Sequence, residues 1–225
     1  MSNVMILAPH PDDEILGCFG AIKEHTKNND NVVIVYMTFG EKGDINISSE
    51  TMKVIRKKEV QRVLTHLGIY SKYFLSLPDG KVEPNEVSMR KLSEIIKTVD
   101  PKIIYSPNLD EAHRDHQNTS KILNAYLKKN SLNKIILRYY EIWTPLKKFN
   151  LIIDISKVID EKRNLIGYYS SQLQKIRYHD AIISLNRYRG IMTGVGEYCE
   201  VYDCYVLKNG NIKRIAGGSG YEFLY

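Results

Sequence analysis

The chain has 225 residues, of which 43% are hydrophobic and 26% are charged. These fractions are close to the averages for globular proteins and exclude a collagen-like or wholly disordered chain. The 32 Lys and Arg residues against 26 Asp and Glu residues give a net charge of +6, but no basic patch of the kind that binds nucleic acid stands out, so we expect no such partner.

Short apolar segments alternate with amphipathic segments along the first half of the chain. Residues Val4 to Ala8 are all apolar, which is typical of a strand buried on both faces of a parallel sheet. This order predicts an α/β protein with a doubly wound, mostly parallel sheet and flanking helices. After the first strand, the predicted elements are helix Glu14–Lys27, strand Val32–Met37, helix Ser48–His66, strand Tyr73–Leu77, helix Val87–Val99 and strand Ile103–Ser106.

The second half of the chain continues with mixed elements and no Pro-, Gly- or Ser-rich linker, so we expect a single domain spanning residues 1–225. A helix is predicted after about residue 117. The elements predicted beyond it are strands Ile135–Trp143 and Leu151–Ile155, helices Ser156–Ser170 and Tyr178–Arg189, and strand Glu200–Leu207.

The sequence gives no sign of a membrane location. No run approaches the roughly 18 apolar residues that a membrane span needs, and the N-terminus lacks the basic and apolar regions of a signal peptide. We therefore expect a cytoplasmic protein without stable membrane insertion. Trp143 and the aromatic tail of Tyr221, Phe223 and Tyr225 could form a contact in a homo-oligomer.

Two loops rich in histidine and carboxylate follow strands of the predicted sheet. Residues 8–14 come directly after the first strand, and residues 110–117 come just beyond the fourth. Ligands of open α/β sheets bind outside the carboxyl ends of the strands. We therefore expect both loops to lie at the same edge of the sheet, where their side chains can act together.

The residue types in these loops suit a catalytic metal site. His10 and Asp13 lie about one helical turn apart and can converge on one ion, and either His113 or His116 would complete a His2Asp set. Three protein ligands and one open position distinguish catalytic zinc from a closed structural site. The neighbouring Asp12 must then point elsewhere, towards the open position of the ion.

Each loop also has a simpler interpretation. The acids at 12–14 could complement a helix dipole, and His113 and His116 could be ordinary loop residues with Asp115 as the helix N-cap. The metal interpretation is favoured because both loops lie at one sheet edge. A dinucleotide site is not favoured, because the first loop lacks the G-x-G-x-x-G pattern.

The sequence A-P-H-P-D-D-E at 8–14, with Gly17 and Gly20, resembles the signature of the PIG-L/LmbE-like family of zinc-dependent N-acetylglucosamine de-N-acetylases. The sequence H-R-D-H at 113–116 resembles the family's second signature. The resemblance implies a Rossmann-like fold. It also implies hydrolysis of the N-acetyl group of an N-acetylglucosamine-type sugar or sugar conjugate, a small-molecule partner, with release of acetate.

The resemblance further implies a metal-ligand set. Matched by motif position, the zinc ligands are His10, Asp13 and His116. A His2Asp site can also accept Fe²⁺ or another divalent metal, so the native metal stays open at this point.

Roles for the other loop residues follow from the same resemblance. Asp12 is implied as the general base, His113 as the group that stabilises charge on the carbonyl oxygen, and Asp115 as the residue that orients His113. Arg56 and Asp79 are implied as substrate contacts.

One departure and two rival functions stay open. Some relatives carry a tyrosine shortly before the second motif, where this chain has Asp110, Glu111 and Ala112, so that role is either absent or filled elsewhere. The first rival is an amidase that acts on a larger acyl group of a sugar conjugate. The second is a non-catalytic domain that binds a sugar or a nucleotide.

Overall fold

Strands and helices alternate through the first half of the chain, as the sequence predicts. The computed structural model describes residues 1–130, 135–173, 177–208, 211–216 and 222–223. Tyr221 and Tyr225 of the predicted aromatic contact lie outside these ranges. The first eight elements are β1 (Asn3–Ala8), α1 (Asp13–Lys27), β2 (Asn31–Tyr36), α2 (Ser49–His66), β3 (Ser71–Phe74), α3 (Glu86–Val99), β4 (Ile103–Pro107) and α4 (Arg114–Lys129).

The second half departs further from the predicted boundaries. The strand predicted to reach Trp143 ends at Tyr140. The helix predicted over 156–170 is a 3₁₀ turn followed by an α-helix that ends at Gly167, and a further short helix begins at Ser170. The later elements are β5 (Ile135–Tyr140), β6 (Leu151–Asp154), the 3₁₀ turn (Ser156–Val158), α5 (Ile159–Gly167), α6 (Ser170–Leu173), α7 (Tyr178–Thr193), β7 (Cys199–Lys208), β8 (Asn211–Arg214) and β9 (Glu222–Phe223).

The order of the strands confirms the predicted fold class and places a crevice at one point of the sheet. Within the described residues the order is β3-β2-β1-β4-β5-β7-β6-β9, with β8 paired to β7. The strands from β3 to β5 are parallel, whereas β7 is antiparallel to both β5 and β6. Because β2 and β4 flank β1 on opposite sides, the chain changes direction at β1. Ligands of such sheets bind outside the carboxyl ends of the strands at this switch point.

Apolar layers cover both faces of the parallel strands. Along β1, Val4 and Ile6 belong to one layer and Met5 and Leu7 to the other, and all four are fully buried. The first layer includes residues of α1, α2, α5 and α7, and the second includes residues of α3 and α4. None of the helices in the described ranges is long and apolar enough to cross a membrane.

A close approach of α7 to the following loop depends on a glycine. A Cβ built on Gly190 would lie 2.6 Å from the carbonyl carbon and oxygen of Glu197. We expect Gly190→Ala to lower the free energy of unfolding by about 1–3 kcal/mol, because the backbone must shift to admit the methyl group. The shift of the urea midpoint measures this loss.

The matched control is Gly167→Ala in α5, where a Cβ would meet nothing within 4 Å. Alanine has the higher helix propensity, so this change should be neutral or slightly stabilising. Equal losses in the two variants would contradict the argument from close packing.

Candidate metal centre and active site

The loop after β1 turns sharply into α1 and holds Asp12 in an unusual conformation. The helix begins at Asp13. Asp12 before it has a φ of 115°, in a backbone region that residues other than glycine rarely adopt. Such a conformation costs on the order of 1–3 kcal/mol and persists only where the surroundings enforce it. Here the Asp12 amide donates to Glu14 Oε2 at 3.0 Å. Arg56 Nη2 donates to Asp12 Oδ2 at 3.1 Å and also to the Pro11 carbonyl.

Side chains from the two loops meet at the switch point. His10 lies after β1, Asp13 opens α1, and His116 lies in the first turn of α4. One potential ligand atom from each residue lies within 4.8 Å of the other two. Asp13 Oδ2 is 3.3 Å from His10 Nδ1 and 3.2 Å from His116 Nε2. The structure thus brings together the three residues that the motifs mark as metal ligands.

The surroundings of His116 fit a cation. The residue is fully buried, and neither ring nitrogen has a hydrogen-bond partner of acceptable geometry in the described part of the chain. Buried polar groups without partners are costly and uncommon in proteins. Two imidazoles and one carboxylate are the donor types of a catalytic zinc site. A divalent cation coordinated here would satisfy a nitrogen that the protein leaves without a partner.

The second nitrogen of His10 faces two carboxylates. His10 Nε2 lies 3.2 Å from Asp79 Oδ1 and 3.2 Å from Asp115 Oδ2. These carboxylates are fixed in turn, since Asp79 accepts from the Lys42 amide at 2.8 Å and Asp115 from the Gly80 amide at 2.7 Å. A carboxylate on the far nitrogen of a metal-binding histidine fixes its ring orientation. Both acids therefore hold His10 with Nδ1 towards Asp13.

Two predicted roles differ from this arrangement. Asp115, predicted to orient His113, instead lies against His10 and accepts from the Gly80 and Val82 amides. Asp115 is also not the N-cap of α4, because His113 is the cap and its Nδ1 accepts from the Asp115 amide at 3.3 Å. With Nδ1 as an acceptor, the neutral ring carries its proton on Nε2 and can donate from there.

The predicted substrate contacts also have partners within the protein. Arg56 is buried, and besides Pro11 and Asp12 it contacts Glu59 Oε2 at 3.3 Å. Asp79 is buried and contacts His10. Both still line the cleft, but the contacts that the structure records for them fix Asp12 and His10.

Burial and neighbouring charges shift the pKa values of Asp12 and Asp13 in opposite directions. Burial raises the pKa of Asp12 well above the usual carboxyl range, although Arg56 beside it acts in the opposite direction. Burial also raises the pKa of Glu14 to about 7. For Asp13 burial acts in the same way, but His116 and His10 outweigh it and lower the pKa. Burial lowers the pKa of His113, and the nearby His10 and His116 add to this.

These shifts assign different chemistry to adjacent acids. The lowered pKa keeps Asp13 ionised, the form that can bind a cation, whereas burial gives Asp12 the higher proton affinity that suits a base. Pairs of acids driven apart in this way are typical of acid–base sites. The neutral His113 can donate a hydrogen bond without adding a positive charge beside His10, Asp13 and His116.

A cleft of about 330 Å³ opens over these residues. Side chains that neither motif contains also line it. Trp143 is among them, although the sequence indicates for it only a contact in a homo-oligomer. The residues that line the cleft outside the two loops and the predicted contacts include Lys42, Trp143, Gln172 and Tyr178.

Glu111 lies where some relatives carry a tyrosine, and the sequence predicts no role for its carboxylate. Its carboxylate accepts from the amides of Ile142, Trp143 and Thr144, and Oε2 lies 3.9 Å from His116 Nδ1. It thus fixes the segment after β5 and explains why that strand ends early. No local pattern could have revealed this, because its partners lie about 30 residues further along the chain.

Comparison with known proteins connects the two loops to one family. The family profile of PIG-L, described as GlcNAc-PI de-N-acetylase, matches residues 5–127, a span that contains both loops. A relative from Bacillus subtilis strain 168, a probable N-acetyl-alpha-D-glucosaminyl L-malate deacetylase 2, is 27% identical over 188 residues. The match covers 76% of this chain and 84% of the relative.

Solved structures extend the likeness to nearly the whole chain. N,N'-diacetylchitobiose deacetylase from Pyrococcus horikoshii has a TM-score of 0.82 at 22% identity, covering 92% of this chain and 84% of that one. GalB, the 4-carboxy-2-hydroxymuconate hydratase from Pseudomonas putida KT2440, has a TM-score of 0.76 at 18% identity, covering 91% and 96%. The hydratase shows that this fold alone does not fix the reaction.

Proposed function

This chain belongs to the PIG-L family, and on that premise we propose that it hydrolyses the N-acetyl group of an N-acetylglucosamine-type sugar or sugar conjugate, releasing acetate. The family match and the named deacetylase relatives support an enzyme that cleaves this amide. The single observation that carries the proposal is the convergence of His10, Asp13 and His116 beside Asp12 in an open cleft.

We propose His10, Asp13 and His116 as the ligands of one divalent cation, with Zn²⁺ as the native metal. A bound cation of this kind supplies Lewis acidity, which lowers the pKa of water and polarises an acyl carbonyl. Such a donor set also accepts Fe²⁺. Metal analysis of the purified protein therefore decides which ion is native.

Asp12 is proposed as the general base. It accepts a proton from the water that attacks the carbonyl carbon. As the amide C–N bond breaks and acetate forms, it returns a proton to the amine, which stays on the sugar. Burial raises its pKa above the usual carboxyl range, which makes its carboxylate a stronger proton acceptor than that of an exposed aspartate. The hydrogen bond from Arg56 holds its carboxylate in place through the reaction.

His113 is proposed to stabilise the negative charge that develops on the carbonyl oxygen. Its Nδ1 is engaged as the cap of α4, so Nε2 is the donor available to the substrate. A donor held in advance at this point needs no rearrangement during the reaction, and removal of one such donor typically costs about 10²–10³ in kcat.

The rival functions are separated by their products. Acetate release from a panel of N-acetylglucosamine conjugates, measured with and without chelator, tests the proposal directly. Release of a larger acyl group and no acetate would favour the rival amidase. Binding of the conjugates without any hydrolysis in metal-loaded protein would favour the non-catalytic rival.

The ligand assignment gives a separate prediction. We expect His116→Ala to contain well below one metal ion per chain after dialysis, as measured by elemental analysis. Loss of a residue that only supports a ligand costs about 10–100-fold in metal affinity, and loss of a ligand should cost more. The control is His66→Ala, because His66 lies on α2 beside Glu161 and away from the site.

Stoichiometric metal in His116→Ala would show that the assignment is wrong. His113 would then replace it as the candidate ligand, since one of its ring nitrogens also lies within 4.8 Å of a nitrogen of His10.

A further inference from the structure

The only tryptophan of the chain lies at the cleft, beside the second motif. Trp143 is 42% exposed, although it is one of the largest apolar side chains in the protein. Its indole stacks on the ring of His113, with centroids 5.7 Å apart and 28° between the planes. It also contacts Tyr178 in a T-shaped arrangement at 5.3 Å. Exposed aromatic rings within a cleft are typical of ligand contacts.

Hydrogen bonds fix the backbone at Trp143 to the residues that directly precede the second motif. Its amide donates to Glu111 Oε2 at 3.1 Å, and the Thr144 hydroxyl accepts from the Ala112 amide at 2.8 Å. The indole is therefore ordered relative to His113 before any ligand binds. Binding on a surface that is already ordered avoids the entropy cost of fixing a side chain.

The spacing of the rings indicates which part of a substrate would reach the indole. The centroids of His10 and His113 are 5.0 Å apart, and those of His113 and Trp143 are 5.7 Å apart, so His113 contacts both rings. If the carbonyl oxygen of the acetamido group accepts from His113, the sugar ring attached to the amide nitrogen lies about one ring further from the metal ligands. The indole adjoins His113 and lines the same cleft, so a sugar ring in that place can contact it.

We propose that Trp143, flanked by Tyr178, is the platform against which the pyranose ring of the substrate packs. The proposal rests on the proposed function and deepens it, because it assigns recognition of the sugar ring to a named side chain. Sugar rings have apolar C–H faces, and an indole offers a large, rigid surface for such a face. The enzyme should therefore prefer an acetamido group on a pyranose to the same group on a flexible chain.

Since Trp143 is the only tryptophan, indole fluorescence of the wild-type protein reports on this residue alone. We expect a saturable change in its emission on titration with N-acetylglucosamine and no change with acetamide, which lacks the ring. Absence of a response to N-acetylglucosamine, or an equal response to acetamide, would overturn the platform.

Kinetics test the same residue in a second way. We expect Trp143→Ala to raise KM for an N-acetylglucosamine conjugate about 10-fold, and Trp143→Phe, which keeps an aromatic face, to raise it less than about threefold. With N-acetylethanolamine, which has no ring, Trp143→Ala should raise KM by a smaller factor than it does with the conjugate. Tyr70→Ala, which removes an exposed aromatic residue outside the cleft, is the matched control.

The outcomes separate this proposal from the proposed function. A fall in kcat for both substrates without a change in KM would mean that Trp143 only positions His113, and the platform would be wrong. A saturable fluorescence response in a metal-loaded protein that releases no acetate would overturn the hydrolysis and leave the platform supported.

Discussion

Asp12→Asn is expected to lower kcat by about 10²–10⁴-fold, the range that a positioned general base contributes. Asparagine is nearly the same size and, like aspartate, tolerates the positive φ at this position, so the turn into α1 should persist. Its amide oxygen can still accept from Arg56, but it cannot accept a proton from water at neutral pH. The loss should therefore be in turnover, with the metal retained.

The measurement pairs the rate of acetate release with the metal content of the same sample. Asp110→Asn is the matched control, because Asp110 is an exposed aspartate near the second motif. Wild-type turnover in Asp12→Asn would exclude Asp12 as the base. Loss of metal from this variant would instead make Asp12 part of the metal site.

The sequence predicted the fold class and the family because both depend on local patterns. Apolar runs such as Val4 to Ala8 identify buried strands, and the rule on the carboxyl ends of strands then places both loops at one edge. The spacing of His10 and Asp13 predicts that they act together because one helical turn separates them. The fold class needs only the periodicity of helices and strands, whereas the family follows from the resemblance of residues 8–14 and 113–116 to its two signatures.

Contacts between distant segments were not predictable in this way. The carboxylate of Asp115 reaches His10, which is 105 residues away, so a motif position could not show which histidine it supports. The burial of Arg56 against Pro11 and Asp12 likewise depends on how α2 packs beside the first loop. The roles of the site residues therefore stay predictions until variants are measured.

A second large effect is expected away from the cleft, at a buried ion pair. Lys162 of α5 is fully buried, and its Nζ donates to Glu200 Oε1 at 2.8 Å, to Asn186 Oδ1 at 2.9 Å and to the Leu16 carbonyl at 2.9 Å. We expect Lys162→Met to lower the free energy of unfolding by about 3–5 kcal/mol, because it leaves the carboxylate of Glu200 buried without its cation. Urea denaturation measures the loss.

The loss of stability comes from the unpaired carboxylate of Glu200 and not from the absence of the amine itself. A double variant separates these two causes. Lys162→Met combined with Glu200→Gln removes both charges, so it should recover much of the loss, and the two single losses should not add. An exposed ion pair is the control. Lys102→Ala, which removes the pair between Lys102 and Asp100, should lower the free energy of unfolding by less than about 1 kcal/mol. If the double variant were as unstable as the sum of its parts, the charges of Lys162 and Glu200 would not be coupled, and the unpaired carboxylate would not explain the loss.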